Sequence, residues 1–587
     1  DAGYINIIFK DNNNYGTNGS YSASLGYGKG LATGASINLN HRKGRVNIFG
    51  DISYSRIKKP LPIVSHSKIS YMGDIRETFV HNNRVDTQEN ILARAGLDFE
   101  IDRHAVMGIL LSGYDNRYSQ AESNTNLITR NTKLDTTIRL ANSEINHWKN
   151  FSGNMNIQFM FRDDEKLSAN LDYFYYYNDQ PANYYSSYFD NAGNFVYDQY
   201  KKSEKRTNIH FWVGAADYSK ALGKKVNMEA GLKSTISAFT NDFSLEKWEQ
   251  NAWTTDQSLS ADYTLNENYS AGYVSFTALP DKNTEAKMGL RYEYTNSDLG
   301  TTGMKNLVDN HYGKIFPSVS VSRKINENSS INISYSSRIT RPTITNLAPF
   351  TYYVSAYTVL TGNPALQPAI SNTIMAAYNL KKNIFSLSFS KNDNYISFQP
   401  HSDSLTNTLI ISPQNLIDLK TIFASFAIPV IINKWWSMQY NVSGVWQQVN
   451  AIYDKAPIRL EHINYTLNMS QSFKLPRAFS IELTGFYQSP SLNGISTREA
   501  YGTLVLGIRK KMKDNKGAFN FVVNDIFNTL IFAQSANLPE RNLVNGTHIA
   551  FSQRTFKLTY SRTFGKDKLK GKRDRLTGAE EEKDRVQ

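Results

Sequence analysis

The sequence predicts an all-β chain: a transmembrane antiparallel β-barrel of about 22 strands, with short turns at one end and long loops at the other. Three observations predict it. Apolar and polar residues alternate position by position in segment after segment of the 587-residue chain. Short polar turns recur at intervals of roughly 40–60 residues, room for two strands and a longer loop. Aromatic residues make up 13%, with 36 Tyr and 31 Phe, yet mean hydropathy is only −0.47. The longest apolar run, residues 426–432, falls far short of the ~20 residues a spanning helix needs.

Taken in order, residues 20–27 and 35–40 form a first strand pair around Gly26, Gly28 and Gly30. That spacing is not a dinucleotide fingerprint, and a strand rather than a helix follows. In the next strand Val46, Ile48, Ile52 and Tyr54 share one face, and Asn47, Asp51, Ser53 and Ser55 the other. The same alternation sets Leu167, Leu171 and Tyr173 against Ser168, Asn170 and Asp172, and Phe385, Leu387 and Phe389 against Ser386, Ser388 and Ser390. It closes with Phe556, Leu558, Tyr560 and Phe564. Short turns fall near residues 42–44, 102–103, 163–165, 223–224, 281–283, 326–328, 381–383, 433–434, 475–477 and 513–515. About ten such turns imply eleven hairpins, hence about 22 strands, the size class of plugged outer-membrane transporters. Long loops are expected near 57–90, 112–146, 178–204, 241–267, 338–368 and 392–418, all on the opposite side.

Backbone groups in lipid must be paired, so such strands span only as a closed barrel, greasy face outward and Ser, Asn, Thr or Asp inward. The short turns are then periplasmic and the long loops extracellular. The chain has no cysteine, which removes disulfides and thiolate chemistry. Its net charge of +13 is spread along the chain, so no nucleic-acid partner is expected. Ten scattered histidines show no metal-ligand spacing, and no serine sits in a nucleophile elbow. No enzyme activity, metal or cofactor is expected. The tail beyond Phe564 is first basic and then acidic, and reads as solvated.

Residues 338–379 carry a resemblance. Arg338-Ile-Thr-Arg341-Pro342 and Asn363-Pro-Ala-Leu-Gln-Pro368 resemble the "R-x-x-R-P … N-P-x-L-x-P" signature of TonB-dependent outer-membrane receptors. Ala369 stands where that family usually carries Glu. Residues 1–10 resemble the last strand of such a receptor's plug, and the chain reads as a mature fragment or one lacking an upstream region. Arg575, Thr577, Gly578, Glu581, Glu582 and Arg585 resemble the "R-x-T-G … E-E … R" tail of a related plug-plus-barrel family. The resemblance implies residues 1–14 as the end of a plug, 15–564 as the barrel and 565–587 as a charged, flexible periplasmic tail. It also implies TonB-dependent import across the outer membrane of a Gram-negative bacterium. Outer-membrane lipid, and TonB acting through a plug region not in this chain, are the implied partners.

The resemblance implies a nutrient cargo, small or oligomeric, with ferric chelate, vitamin, glycan and peptide all open. Tyr184, Tyr185, Tyr188, Tyr352, Tyr353 and Tyr357 are the candidate loop contacts to it, since aromatic faces stack on such ligands. Arg338, on a polar strand face, is the candidate luminal charge for an anionic ligand or a plug carboxylate. The alternatives are a scaffold barrel that docks a surface lipoprotein, and a plugless passive pore.

Overall fold

A computed structural model describes residues 15–71, 73–257, 259–301, 303–304, 307–348, 351–355, 357–403, 408–551, 554–566, 569, 571, 573 and 578–586, with only the backbone of 71 and 351–355. The expected plug strand, residues 1–14, lies outside the described residues.

Twenty-two antiparallel strands form one closed barrel, each hydrogen-bonded to its neighbours in sequence. The last strand, Thr555–Gly565, closes on the first, Tyr15–Tyr27, in register from Asn18 facing Gly565 to Tyr27 facing Phe556. No edge is left for pairing with another chain along this seam. The short turns fall where the sequence places them. Gly44, at φ +60°, lets the chain reverse between Leu31–Lys43 and Val46–Tyr71. Asp102 accepts the backbone N–H groups of His104 and Ala105, both at 2.7 Å, and so fixes the turn into Ala105–Arg130.

The alternation also resolves as expected over much of the wall. In Val226–Glu249, Leu232 and Ile236 stand 71% and 58% exposed on the lipid side, while Thr235 between them is fully buried inside. Adjacent strands repeat the pattern, giving a continuous apolar outer band.

Four expected loops are strands instead. Val46–Tyr71 pairs with Asp74–Glu100 without a break, and Ala105–Arg130 with the 30-residue Lys133–Arg162, so the stretches 57–90 and 112–146 are tall hairpins. Within 178–204 the strand Ala182–Phe189 bridges Lys133–Arg162 and Phe195–Ala221. Within 241–267 the strands Val226–Glu249 and Ala261–Asp281 continue outward. Past the bilayer no lipid enforces greasy-versus-polar contrast, so the period-two signal fades there although the ladder goes on. Pro60 and Pro62 also argue against a strand. Yet the Pro62 carbonyl accepts Ala550 N–H at 3.3 Å, which turns that residue's backbone away from Asp74–Glu100, and no ladder bond to that strand is lost.

Residues 338–368 and 392–418 do form loops. The first carries the one-turn helix Ile344–Leu347, capped by the Thr343 side chain, and the strands Thr351–Ser355 and Thr358–Thr361. These join Thr408–Asn415 and Ile396–Asp403 of the second loop in a separate four-stranded sheet.

Candidate functional site: the barrel lumen

One sector of the inner wall departs from the polar rule. Phe174, Tyr176, Ile209, Phe211, Val213, Phe239, Leu265 and Leu299 are all buried on the luminal side. They are covered from within the barrel by Ile344 and Leu347 of the short helix, by Leu366, and by Ala579 and Val586 of the tail. Such a patch facing water in a wide channel would forfeit the ~25 cal/mol per Å² that burial returns. The run Ile209-His-Phe-Trp-Val213, which puts Ile209, Phe211 and Val213 on the inner face, is the sequence signal for it.

Beside this patch lies a ring of buried charge. Arg341 donates to Glu293 at 2.7 Å and to Thr295 at 3.0 Å, and its guanidinium sits 4.4 Å from the Tyr269 ring centroid. Arg291 donates to the other Glu293 oxygen at 2.5 Å. The tail enters here: Ala579, Glu582, Arg585 and Val586 are buried, while Glu580, Glu581 and Asp584 stay exposed. Glu582 is fully buried and accepts from Thr235 Oγ1 at 2.7 Å, from the Tyr269 hydroxyl and from Lys233 at 3.0 Å. Arg585 pairs with Glu267 and donates to the Pro342 carbonyl at 3.3 Å, while its own carbonyl accepts Ile344 N–H at 3.1 Å. Gly578 N–H reaches Asp172 at 3.2 Å. Partners for Glu582 and Arg585 are thus set into the wall.

Two cavities flank this plugged zone. One, of about 690 Å³, is lined by Arg338, Arg341, Phe316 and Glu581. The other, of about 770 Å³, is lined by Arg84, Glu144, Lys205, Tyr118 and Trp148, and also by Thr345 and Val586. Arg338 thus borders the lumen.

The tyrosines scatter more. Tyr184 is buried and Tyr185 packs against Tyr200 with ring centroids 4.6 Å apart and tilted by 37°; both belong to a strand paired on its two sides, not to a free loop. Tyr188 stacks on Tyr197 at 4.3 Å, and Tyr188 and Tyr357 both pack against the cluster of Ile128, Ile138 and Leu140. Of the expected residues, those two are brought together. The side chains of Tyr352 and Tyr353 lie outside what is described. Lys233, Glu267, Tyr269 and Glu293 did not stand out in sequence. Their signal is a charge or hydroxyl at an inward register position in mid-strand, where desolvation makes an idle charge expensive. Among the described residues no group of three or more acidic or histidine side chains is poised for a metal.

The fold recurs in solved receptors. The ferric-catecholate import receptor Fiu of Escherichia coli K12 superposes with a TM-score of 0.60 at 11% identity, over 94% of this chain and 82% of its own. The ferric yersiniabactin uptake receptor FyuA of Yersinia pestis gives 0.58 at 10%, over 93% and 80%. The FrpB iron transporter of Neisseria meningitidis gives 0.56 at 11%, over 93% and 81%. No curated protein matches in sequence. Residues 158–561 match the outer membrane protein beta-barrel family, well over half of the chain. The protein is therefore a member of that family, seated in the outer membrane of a Gram-negative bacterium.

Proposed function

We propose that this chain is the barrel of a TonB-dependent receptor that imports a nutrient, and that it catalyses no reaction. The observation that carries the reading is the 22-strand closed wall whose interior holds a packed loop and tail segment. A barrel of this size has to be stoppered to keep the permeability barrier, and moving cargo past a stopper takes energy from elsewhere. The similar structures are a ferric-catecholate import receptor, a ferric yersiniabactin uptake receptor and an iron transporter, so a ferric chelate comes first among the cargoes, ahead of vitamin, glycan and peptide. Tyr188 and Tyr357 are assigned to capture above, and Arg338 to an anionic group in the lumen.

The test is uptake of radiolabelled ferric catecholates by cells that depend on this receptor, with and without TonB. Uptake lost with TonB supports the reading; uptake indifferent to TonB overturns it. A second reading, a scaffold that docks a surface lipoprotein, draws on the tall hairpins around 57–90 and 112–146, which offer more ordered outer surface than a bare pore needs. Co-purification of a lipoprotein that is lost when these hairpins are shortened would favour it.

A further inference from the structure

The tail contacts go beyond fastening a loose end. Two unlike features of the wall match the same nine residues. The first is the apolar patch of Phe174, Ile209, Phe211 and Val213, which Ala579 and Val586 help to cover. The second is a pair of opposite charges set apart on adjacent strands: Lys233, which meets Glu582, and Glu267, which meets Arg585. A segment that brushed the wall by chance would satisfy one feature or the other. This one satisfies both, and places its acid and its base in the order the wall requires. It also touches the loop. Arg585 bonds the backbone of Pro342 and of Ile344, so the Arg341-Pro342 motif and the tail hold one another in mid-lumen.

We propose that residues 578–586 form a built-in stopper, a peptide ligand carried in cis, and that the inner wall at Lys233, Thr235, Glu267 and Tyr269 is its receptor site. The site takes a short peptide bearing a carboxylate three residues before a guanidinium. With the peptide seated, the cavities on either side of it are separated. With it released, they join. The function of this site does not depend on how cargo transport is energised.

These 587 residues contain no cysteine, so a single introduced thiol reports alone. Val586→Cys, in the otherwise unaltered 587-residue chain in liposomes, is treated with a membrane-impermeant maleimide. Asn283→Cys in a periplasmic turn is the reference. The stopper predicts labelling slower than the reference by at least about tenfold, as for a site that opens only occasionally. Equal rates overturn it. The same chain carrying Glu582→Gln with Arg585→Gln is expected to label at the reference rate and to pass a neutral sugar faster in a liposome-swelling assay. Adding a synthetic peptide of residues 578–586 should slow that passage again. Sugar passage equal in the two chains overturns the stopper even if labelling differs. Neither measurement involves TonB, so a failure here is distinct from a failure of the import reading.

Discussion

Glu293 shows at the level of one side chain what the lumen demands. Its carboxylate and the Arg341 guanidinium are 6% and 8% exposed, so neither is solvated well enough to stand alone. Glu293→Gln leaves Arg341 buried and short of its counter-charge, and is expected to lower stability by about 3–5 kcal/mol. Adding Arg341→Met should restore part of that loss; urea titration in lipid vesicles measures both, and additive losses would mean the pair is uncoupled. Asp102 belongs to a solvated periplasmic turn. Hydrogen bonds from the backbone of His104, then of Ala105, hold its carboxyl below the usual 3.8. A depressed acid stabilises above its unfolded value and loses that contribution as pH falls through the folded one. The stability gap between the native chain and Asp102→Ala should therefore be flat from neutral pH down to about pH 4 and narrow below it. A gap that widens on acidification would contradict the assignment.

Strand by strand, the two faces follow different rules. Leu232 points into lipid and its neighbour Lys233 into the lumen. Leu232→Arg is expected to cost about 2–4 kcal/mol of folding free energy if it lies at the bilayer midplane. A null effect would place the hydrocarbon belt elsewhere on the wall. Inside the membrane the elements were legible in sequence because lipid imposes the contrast that alternation records. Val46, Ile48, Ile52 and Tyr54 against Asn47, Asp51 and Ser53 are enough to draw a strand and its inner side. Above the membrane the same strand runs on through Lys58, Lys59 and Pro60 with no such contrast, and it read as loop. The turns were legible throughout, because Asp, Asn and Gly are needed there whatever the surroundings.

At the scale of the molecule, closure depends on the match between the first and last strands. The no-cysteine background allows a direct check. Ser22 faces Ser561 across the seam. Opposed Cα atoms in an antiparallel ladder lie about 4.5–5.5 Å apart, within disulfide range. Ser22→Cys with Ser561→Cys should crosslink on oxidation and give a band of altered mobility that reductant abolishes; no crosslink in the folded protein would argue against this register. The barrel, its size and its membrane were readable from the chain, but the lumen was only half so. Arg341 and Arg338 lay in a motif that drew attention. The partners of Arg341 are single residues on another strand, such as Glu293, and the tail's carboxylates lie hundreds of residues from Lys233. Only folding reveals such pairings.

The 30 residues of Lys133–Arg162 have a further consequence. About 9–11 tilted residues cross hydrocarbon. At ~3.3 Å per residue and a tilt of roughly 40°, the whole strand rises about 75 Å along the cylinder axis, more than twice the depth of the oily layer. The surplus lifts the rim like a chimney through the sugar coat of the outer leaflet. A bulky molecule excluded by that brush thus meets the protein before it meets the cell.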